Sequence, residues 1–276
     1  MEERKTKDAK IETTDDKENK GMEGDTKEKV GFLHEEELAK EGDLVVVWMG
    51  PEKISEIVLE KGKDFQTKYG IFYHEDFMGQ KFGSIISARK CEKGKNAGFV
   101  HMLLPTPELF TNGAITLRTQ IIHTPDISLI TFALELGNGS VVVESGTGSG
   151  SMSSAIIRVI APQGFLHTFE FHASRVESAE KEFERHGVAK YVSVKCRDVC
   201  AEGFLKEDLR EEMADAVFLD LPKPWTAVEH AKLVLKKGCM LASYSPCIEQ
   251  VQKTCEKLEA LGFRGASFRV WSLLFT

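Results

Sequence analysis

No stretch of this 276-residue chain approaches the ~20 consecutive apolar residues that a membrane-spanning helix needs, which excludes a helical membrane protein. Charges begin at the second residue, so no secretory leader is expected. Cysteine is scarce. The six (Cys91, Cys196, Cys200, Cys239, Cys247 and Cys255) form no CxxC pair and no Cys/His metal spacing. A disulfide scaffold and a structural zinc site are therefore excluded, and reduced thiols in a cytosolic or nuclear protein are expected. An excess of positive charge is also missing: 43 acidic against 36 basic residues gives a net charge of -7. Such a balance argues against holding a polyanion by bulk charge, while leaving room for a local basic groove or one supplied by a partner.

What is present is enough apolar material for a core, 42% of residues. It is unevenly spread. Residues 1–30 hold ten acidic and eight basic side chains and no aromatic one, so this segment reads as a disordered charged tail. From 31 to about 105 the texture is short and β-like, with runs at Leu44–Trp48, Glu56–Leu59, Ile71–His74 and Phe99–Leu104. Gly79 and Gly83 fall where tight turns or a bulge would sit. A small β-barrel-like or sandwich domain is expected there.

From 106 to 276 strand-like and helix-like pieces alternate. Ser140–Glu144 leads into Ser151–Ile160, Leu166–Glu170 into Arg175–His186, and Tyr191–Lys195 follows. Asp215–Asp220, a helix near Ala227–Leu235, Cys239–Tyr244 and a last helix near Ile248–Leu261 complete the series. The rhythm predicts an α/β domain, a parallel sheet with helices on both faces. Ser174 and Glu177 have capping-box spacing, and Gly187 stands where a terminating glycine would.

The sharpest chemical signal is VVVESGTGSGS, residues 141–151: an apolar strand running into a glycine-rich turn that opens a helix. Such a turn presents backbone N–H groups and a positive helix end to a ligand. Dinucleotide folds space their glycines as GxGxxG. Here Gly146, Gly148 and Gly150 are evenly spaced and Ser151 takes the place of the third glycine. Glu144 is expected to end the strand beside the pocket, where it would repel a pyrophosphate and favour a ligand carrying an ammonium and a sulfonium, as S-adenosylmethionine does. Glu170 lies 24 residues beyond Gly146, near the spacing of the acid that takes ribose hydroxyls. Asp198 could accept from an adenine amino group, or simply serve as an Asx-turn residue. Asp220 ends a strand and is followed by a corner stiffened by Pro222 and Pro224. Trp225 reads equally as a base-stacking surface or a packed core side chain.

With these residues in view, the chain resembles the tRNA adenine-N1 methyltransferases that act on adenine 58 of the T-loop, in particular the eukaryotic catalytic subunit. The resemblance is carried by PTPELF (105–110), RTQII (118–122), ESGTGSGS (144–151), HTFEFH (167–172), RDVC (197–200), FLDLPKPW (218–225) and SPCIEQVQ (245–252), with FGSII (82–86) from the N-terminal β-domain. It implies a Rossmann-like class I methyltransferase sheet and S-adenosylmethionine as cofactor. By resemblance Ile122, Ser149, Gly150, Ser151, Glu170, Arg175, Asp198 and Val199 would line the cofactor site. Asp220 would serve cofactor and target adenine as the catalytic carboxylate. Gln120, the 145–152 loop with Ser145, the strand end and corner at Leu219 and Pro222, and the 243–250 corner with Ser245 and Pro246 would lie against the RNA. His123 stands where relatives carry a tyrosine near the target base.

The resemblance further implies tRNA as substrate, with mRNA as a further candidate, and a non-catalytic paralogue as partner in a two-plus-two heterotetramer. The expected location is the nucleus, with the cytoplasm as the other candidate. Relatives continue beyond the last helix with two more strands. Here GFRGASFRVWSLLFT leaves room for at most one, so the sheet is expected to be incomplete at that edge. Two other readings compete: a truncated, non-catalytic interaction subunit, and an NAD-dependent oxidoreductase, which the glycine spacing and Glu144 disfavour.

Overall fold

The computed structural model describes residues 33, 37–50, 53–89, 98–114, 118–206 and 208–267. The charged segment 1–30 and the end of the chain from 268 onward lie outside the described residues.

The first part is built from short antiparallel strands. β1 (Leu44–Trp48) pairs with β2 (Ile54–Val58) on one side and β6 (Phe99–Leu103) on the other. β5 (Ile85–Ser87) joins β6, giving the order β2-β1-β6-β5. β3 (Asp64–Thr67) and β4 (Gly70–Tyr73) form a separate hairpin. Its Phe65 and Phe72 pack with Val45, Val47, Ile86, Val100 and Met102 of the sheet. Among the described residues the sheet does not close on itself. The hairpin instead covers one face, the sandwich-like alternative to a barrel.

The opposite face of β1 and β2 turns toward the larger domain, where Leu44 and Val58 enter its core. Glu56 of β2, almost fully buried, bonds Arg185 at 2.8 Å and His186 Nε2 at 3.3 Å. Burial of a carboxylate is tolerable only with such partners.

After a short helical turn, α1 (Pro107–Leu109), and a π-helical turn (Phe110–Ala114), the larger domain begins with α2 (Thr124–Ala133). The strands are β7 (Val141–Ser145), β8 (Phe165–Glu170), β9 (Val192–Cys196), β10 (Ala214–Asp220) and β11 (Leu235–Tyr244). They form one parallel sheet in the order β11-β10-β7-β8-β9. The intervening helices are α3 (Ser151–Ile160), α4 (Ala173–Arg185), α5 (Val199–Glu202), α6 (Val228–Val234) and α7 (Ile248–Ala260).

Side chains alternate along each strand, and the core divides accordingly. Val142, Leu166, Ala216 and Phe218 meet α2, α3 and α4 on one face. Val143, Phe169, Val217 and Leu219 meet α5 and α6 on the other. Each such large side chain, fully buried, contributes roughly 1.5–3 kcal/mol. Both faces are covered, as the alternating sequence predicts. Among the described residues β11 pairs only with β10, so the sheet ends there.

One expectation fails locally. α4 starts at Ala173, its N-cap is His172, and Ser174 caps nothing. The His172 N–H is taken by Glu170 at 3.1 Å, and the His172 carbonyl accepts from Arg175 and Val176, which begins the helix early. The other end matches expectation: Gly187 N–H bonds the Glu184 carbonyl and Val188 N–H the Phe183 carbonyl, a Schellman closure.

The chain order reverses across the sheet between β7 and β10: β8 and β9 extend one way, β10 and β11 the other. In open α/β sheets the crevice beyond the carboxyl ends of such a pair is where ligands bind. Gly146 and Asp220 stand on its two sides.

Candidate active site

The loop after β7 is held open by contacts that leave no room for side chains. Gly146 has φ of 93°, and a Cβ there would sit 2.2 Å from the Asp220 carbonyl oxygen. Gly148 has φ of 56°, and a Cβ would sit 2.8 Å from Thr119 Oγ1. The Gly146 and Thr147 N–H groups reach the Phe169 carbonyl. Gly150 precedes α3 directly, so the positive end of a ten-residue helix faces the crevice.

The segment 118–123 lies across this loop. The N–H groups of Arg118 and Thr119 donate to Ser149 Oγ at 2.9 and 3.1 Å. Ser151 donates to the Ile122 carbonyl at 3.0 Å and meets the Thr111 hydroxyl at 2.8 Å. The Arg118 guanidinium pairs with Glu182 at 2.8 Å. Ile122 is thereby buried, while Gln120 and His123 are exposed. Ser149 and Ser151 are buried and committed to these braces. The sequence pattern alone assigns no role to Arg118 or Thr119. Their only signal is the RTQII segment itself.

Glu170, 4% exposed, closes the next strand. Its Oε2 accepts the Gly148 N–H at 3.1 Å, and its Oε1 accepts from His172 N–H at 3.1 Å and faces Arg175 at 3.4 Å. These bonds fix the direction of the carboxylate at the carboxyl end of β8. Asp198 follows β9 and caps α5, its Oδ1 accepting from Cys200 N–H at 3.0 Å. The Asx-type role weighed from sequence is thus realised. Arg197 N–H on the Glu170 carbonyl brings Asp198 and Val199 to the same edge.

Glu144 is not at the strand end, since Ser145 continues β7. Its side chain lies fully buried beneath α3, where Ser153 donates to it at 2.5 Å. Burial pushes its carboxyl up to about 7, partly offset by the hydroxyls of Ser153 and Thr168, with Asp220 and Glu170 adding repulsion. Thr168 also bonds Thr147 of the glycine loop at 2.7 Å, so this polar cluster underlies the loop.

Across the crevice, Asp220 and Leu219 end β10, with Leu219 beside Ser145 and Asp220 beside Tyr244 in register. Burial alone pushes the Asp220 carboxyl up to about 6. Tyr244 is raised as well, by burial first and then by Asp126 and Asp220. Pro222 is exposed on the following corner, and half-buried Ser245 and exposed Pro246 begin the corner after β11. Trp225 is half-buried with Lys253 stacked 5.0 Å from its ring centroid, a fastening role rather than a free stacking face.

Apart from Glu144, which is buried beneath α3 instead of facing the crevice, the structure brings the expected residues to one edge of the sheet. The glycine loop, Glu170 and Asp198 form one wall. Asp220, Pro222, Ser245 and Pro246 form the other. Gln120 and His123 stand exposed above the loop.

The profile of the family described as tRNA methyltransferase complex GCD14 subunit matches residues 98–269, and that of the TrmI-like N-terminal domain matches 40–86. The chain is 48% identical over 230 residues to the tRNA (adenine(58)-N(1))-methyltransferase catalytic subunit of Dictyostelium discoideum, covering 82% of this chain and 71% of that one. To the corresponding subunit of Schizosaccharomyces pombe it is 40% identical, covering 84% and 63%. Against that of Eremothecium gossypii the chain spans 60% of the relative's length. Among solved structures, an S-adenosylmethionine-dependent O-methyltransferase from Thermotoga maritima superposes with TM-score 0.71 at 30% identity, covering 87% and 84%. The tRNA (m1A58) methyltransferase TrmI from Aquifex aeolicus superposes with TM-score 0.63 at 26% identity, covering 81% and 82%.

Proposed function

The chain belongs to the family of the tRNA methyltransferase complex GCD14 subunit, and from that membership we propose that it is the catalytic subunit of a tRNA (adenine-58-N1)-methyltransferase. The observation that carries the reading is the convergence of the glycine loop, Glu170 and Asp220 on one crevice where the strand order reverses.

S-adenosylmethionine fits the residues present and supplies, when bound, an electrophilic methyl group. Its ribose hydroxyls would be taken by Glu170, whose carboxylate the Gly148 and His172 N–H groups already aim. Its adenine would lie near Asp198 and Val199, and its amino-acid end near the loop from Gly146 to Gly150. Arg175, Ile122 and Ser151 would bound the site.

Adenine N1 carries its own lone pair, so the chain need not supply a strong general base. Asp220 accepts a hydrogen bond from the adenine N6 amino group and offsets the positive charge that N1-methylation leaves on the ring, while the rigid corners align the base. A T-loop adenine must be unstacked to reach this crevice, at a cost of a few kcal/mol. Gln120, His123, Ser145, Leu219, Pro222, Ser245 and Pro246 would receive it. The net charge of -7 supports a partner subunit that carries much of the tRNA contact, and we infer a heterotetramer with a non-catalytic paralogue, acting in the nucleus.

The test is methyl transfer to unmodified tRNA, with and without the paralogous subunit, followed by mapping of the modified base. Methylation confined to N1 of adenine 58 is expected. Transfer to another atom or base, or none with the partner present, would overturn the assignment.

A further inference from the structure

The corner that follows Asp220 is poor in backbone donors, because Pro222 and Pro224 have no N–H. It is held instead by α7, in a register that repeats. Gln250 Nε2 donates to the Pro222 carbonyl at 2.9 Å. Lys253 stacks on Trp225 at 5.0 Å. Lys257 pairs with Glu229 at 3.2 Å. Positions 250, 253 and 257, on one face of α7, thus meet 222, 225 and 229 of the corner and the start of α6. Lys232, bonded to the Leu261 carbonyl at 2.7 Å, extends the contact to the far end of α7.

The links of this clasp are unequal. The lysine contacts are largely exposed, and such pairs contribute little each. Gln250 is half-buried and acts at both ends of one amide. Its Oε1 accepts the Cys247 N–H at 3.2 Å while its Nε2 holds Pro222. One side chain therefore joins the turn after β11 to the corner after β10. Pro222 is two residues from Asp220, and Ser245 and Pro246 immediately precede Cys247. The two walls of the target-base side of the crevice are tied to each other through this amide.

We propose that Gln250 is a positioning residue for Asp220: by bridging the Pro222 carbonyl and the Cys247 N–H it fixes the proline corner, and with it the direction of the Asp220 carboxylate toward the reacting base. The proposal rests on the methyl-transfer reading of the site. It differs from a direct contact of Gln250 with RNA, which would act on tRNA binding.

The experiment compares Gln250→Ala and Gln250→Glu with the parent in the assembled enzyme, using unmodified tRNA. Glutamate keeps the acceptor for Cys247 but cannot donate to Pro222. Single-turnover methylation at saturating cofactor and tRNA should fall about tenfold or more in both variants, since small misplacements of a reacting geometry cost rate steeply. The dissociation constant for tRNA should stay within about twofold. In Gln250→Ala the acid limb of the pH–rate profile should move down, as a loosened corner hydrates Asp220. Hydrogen exchange of a peptide covering 221–227 should quicken in both, while one covering 145–151 does not change.

An unchanged single-turnover rate in both variants would overturn the proposal. So would a loss wholly explained by weaker tRNA binding, which would make Gln250 an RNA contact. If the parent enzyme itself methylates no tRNA adenine, the functional reading fails separately. Exchange at 221–227 then still decides whether Gln250 holds the corner: faster exchange upholds the clasp, unchanged exchange removes it.

Discussion

Burial holds the Asp220 carboxyl near 6, and no cation contributes to that shift. The ionised form is the one that can accept from N6 and balance a cationic ring, so the methyl-transfer rate should fall as pH drops through about 6. Asp220→Asn should keep the shape, abolish that acid limb and leave partial activity at best. Asp220→Ala should lose ~10²–10³ in single-turnover rate, the usual effect of removing one preorganised electrostatic contact. Near-normal single-turnover methylation by Asp220→Ala at saturating cofactor would leave Asp220 as a strand-end acid and nothing more.

Glu144 makes a separate, structural prediction at the same scale. Its carboxyl titrates near 7 when folded against 4.5 as an ordinary glutamate. Between these values the native state holds a proton that the unfolded state has released, so stability decreases as pH rises from about 4.5 to about 7 and is level above. The shift corresponds to roughly 3 kcal/mol. Glu144→Gln, which keeps an acceptor for Ser153, should flatten this dependence and melt higher than the parent at pH 8. Chemical denaturation at pH 5 and pH 8 checks both statements. A parent protein more stable at pH 8 than at pH 5 would contradict the sign, unless other groups outweigh it, which the Gln variant separates.

At the scale of elements, the glycine loop and the strand ends are a single construction. Gly146 approaches the backbone of Asp220, which cannot yield, whereas Gly148 approaches the hydroxyl end of Thr119, which can rotate. Gly146→Ala should therefore be the more damaging substitution, costing ~1–3 kcal/mol of stability and most cofactor affinity. Gly148→Ala should cost less. Thermal melts and calorimetric titration with S-adenosylmethionine would reveal the order, and equal effects would mean that φ rather than the close approach dominates. These glycines, Glu170 and Asp220 are legible in the sequence because each stands at a strand end in an alternating pattern. So are the central parallel strands β7 and β10, whose runs Val141–Val143 and Ala216–Leu219 are continuously apolar. β3, β5 and α2 are less legible: the two strands are short, and α2 carries little one-sided apolar pattern to mark it. The start of α4 is misread from Ser174 because a tertiary contact, Glu170 to the His172 N–H, fixes it. The segments 118–123 and 245–252 stand out in the sequence, but the contacts by which the first braces the glycine loop and α7 clasps the proline corner do not. They join a side chain to a backbone group some thirty residues away, without any local pattern.

At the scale of the whole molecule, the crevice must receive a polyanion on a chain whose net charge is -7. Several cations near the site are already engaged. Arg118 is bound to Glu182, Arg175 faces Glu170, and Lys253 lies on Trp225. Phosphate contacts made by lysine and arginine release counterions, so affinity carried by them falls steeply with salt. If a partner supplies most of these contacts, the isolated chain should bind tRNA weakly at physiological ionic strength and with a shallow salt dependence. The chain assembled with its paralogue should bind tightly, and with six to ten phosphate contacts should lose about 10³–10⁵ in affinity between 50 and 200 mM salt. Binding titrations across that range, on both preparations, measure the two slopes. Equal slopes and equal affinities would place the tRNA-binding surface on this chain alone. The inferred division of labour, one subunit shaping the reaction and the other gathering the phosphates, would then be wrong.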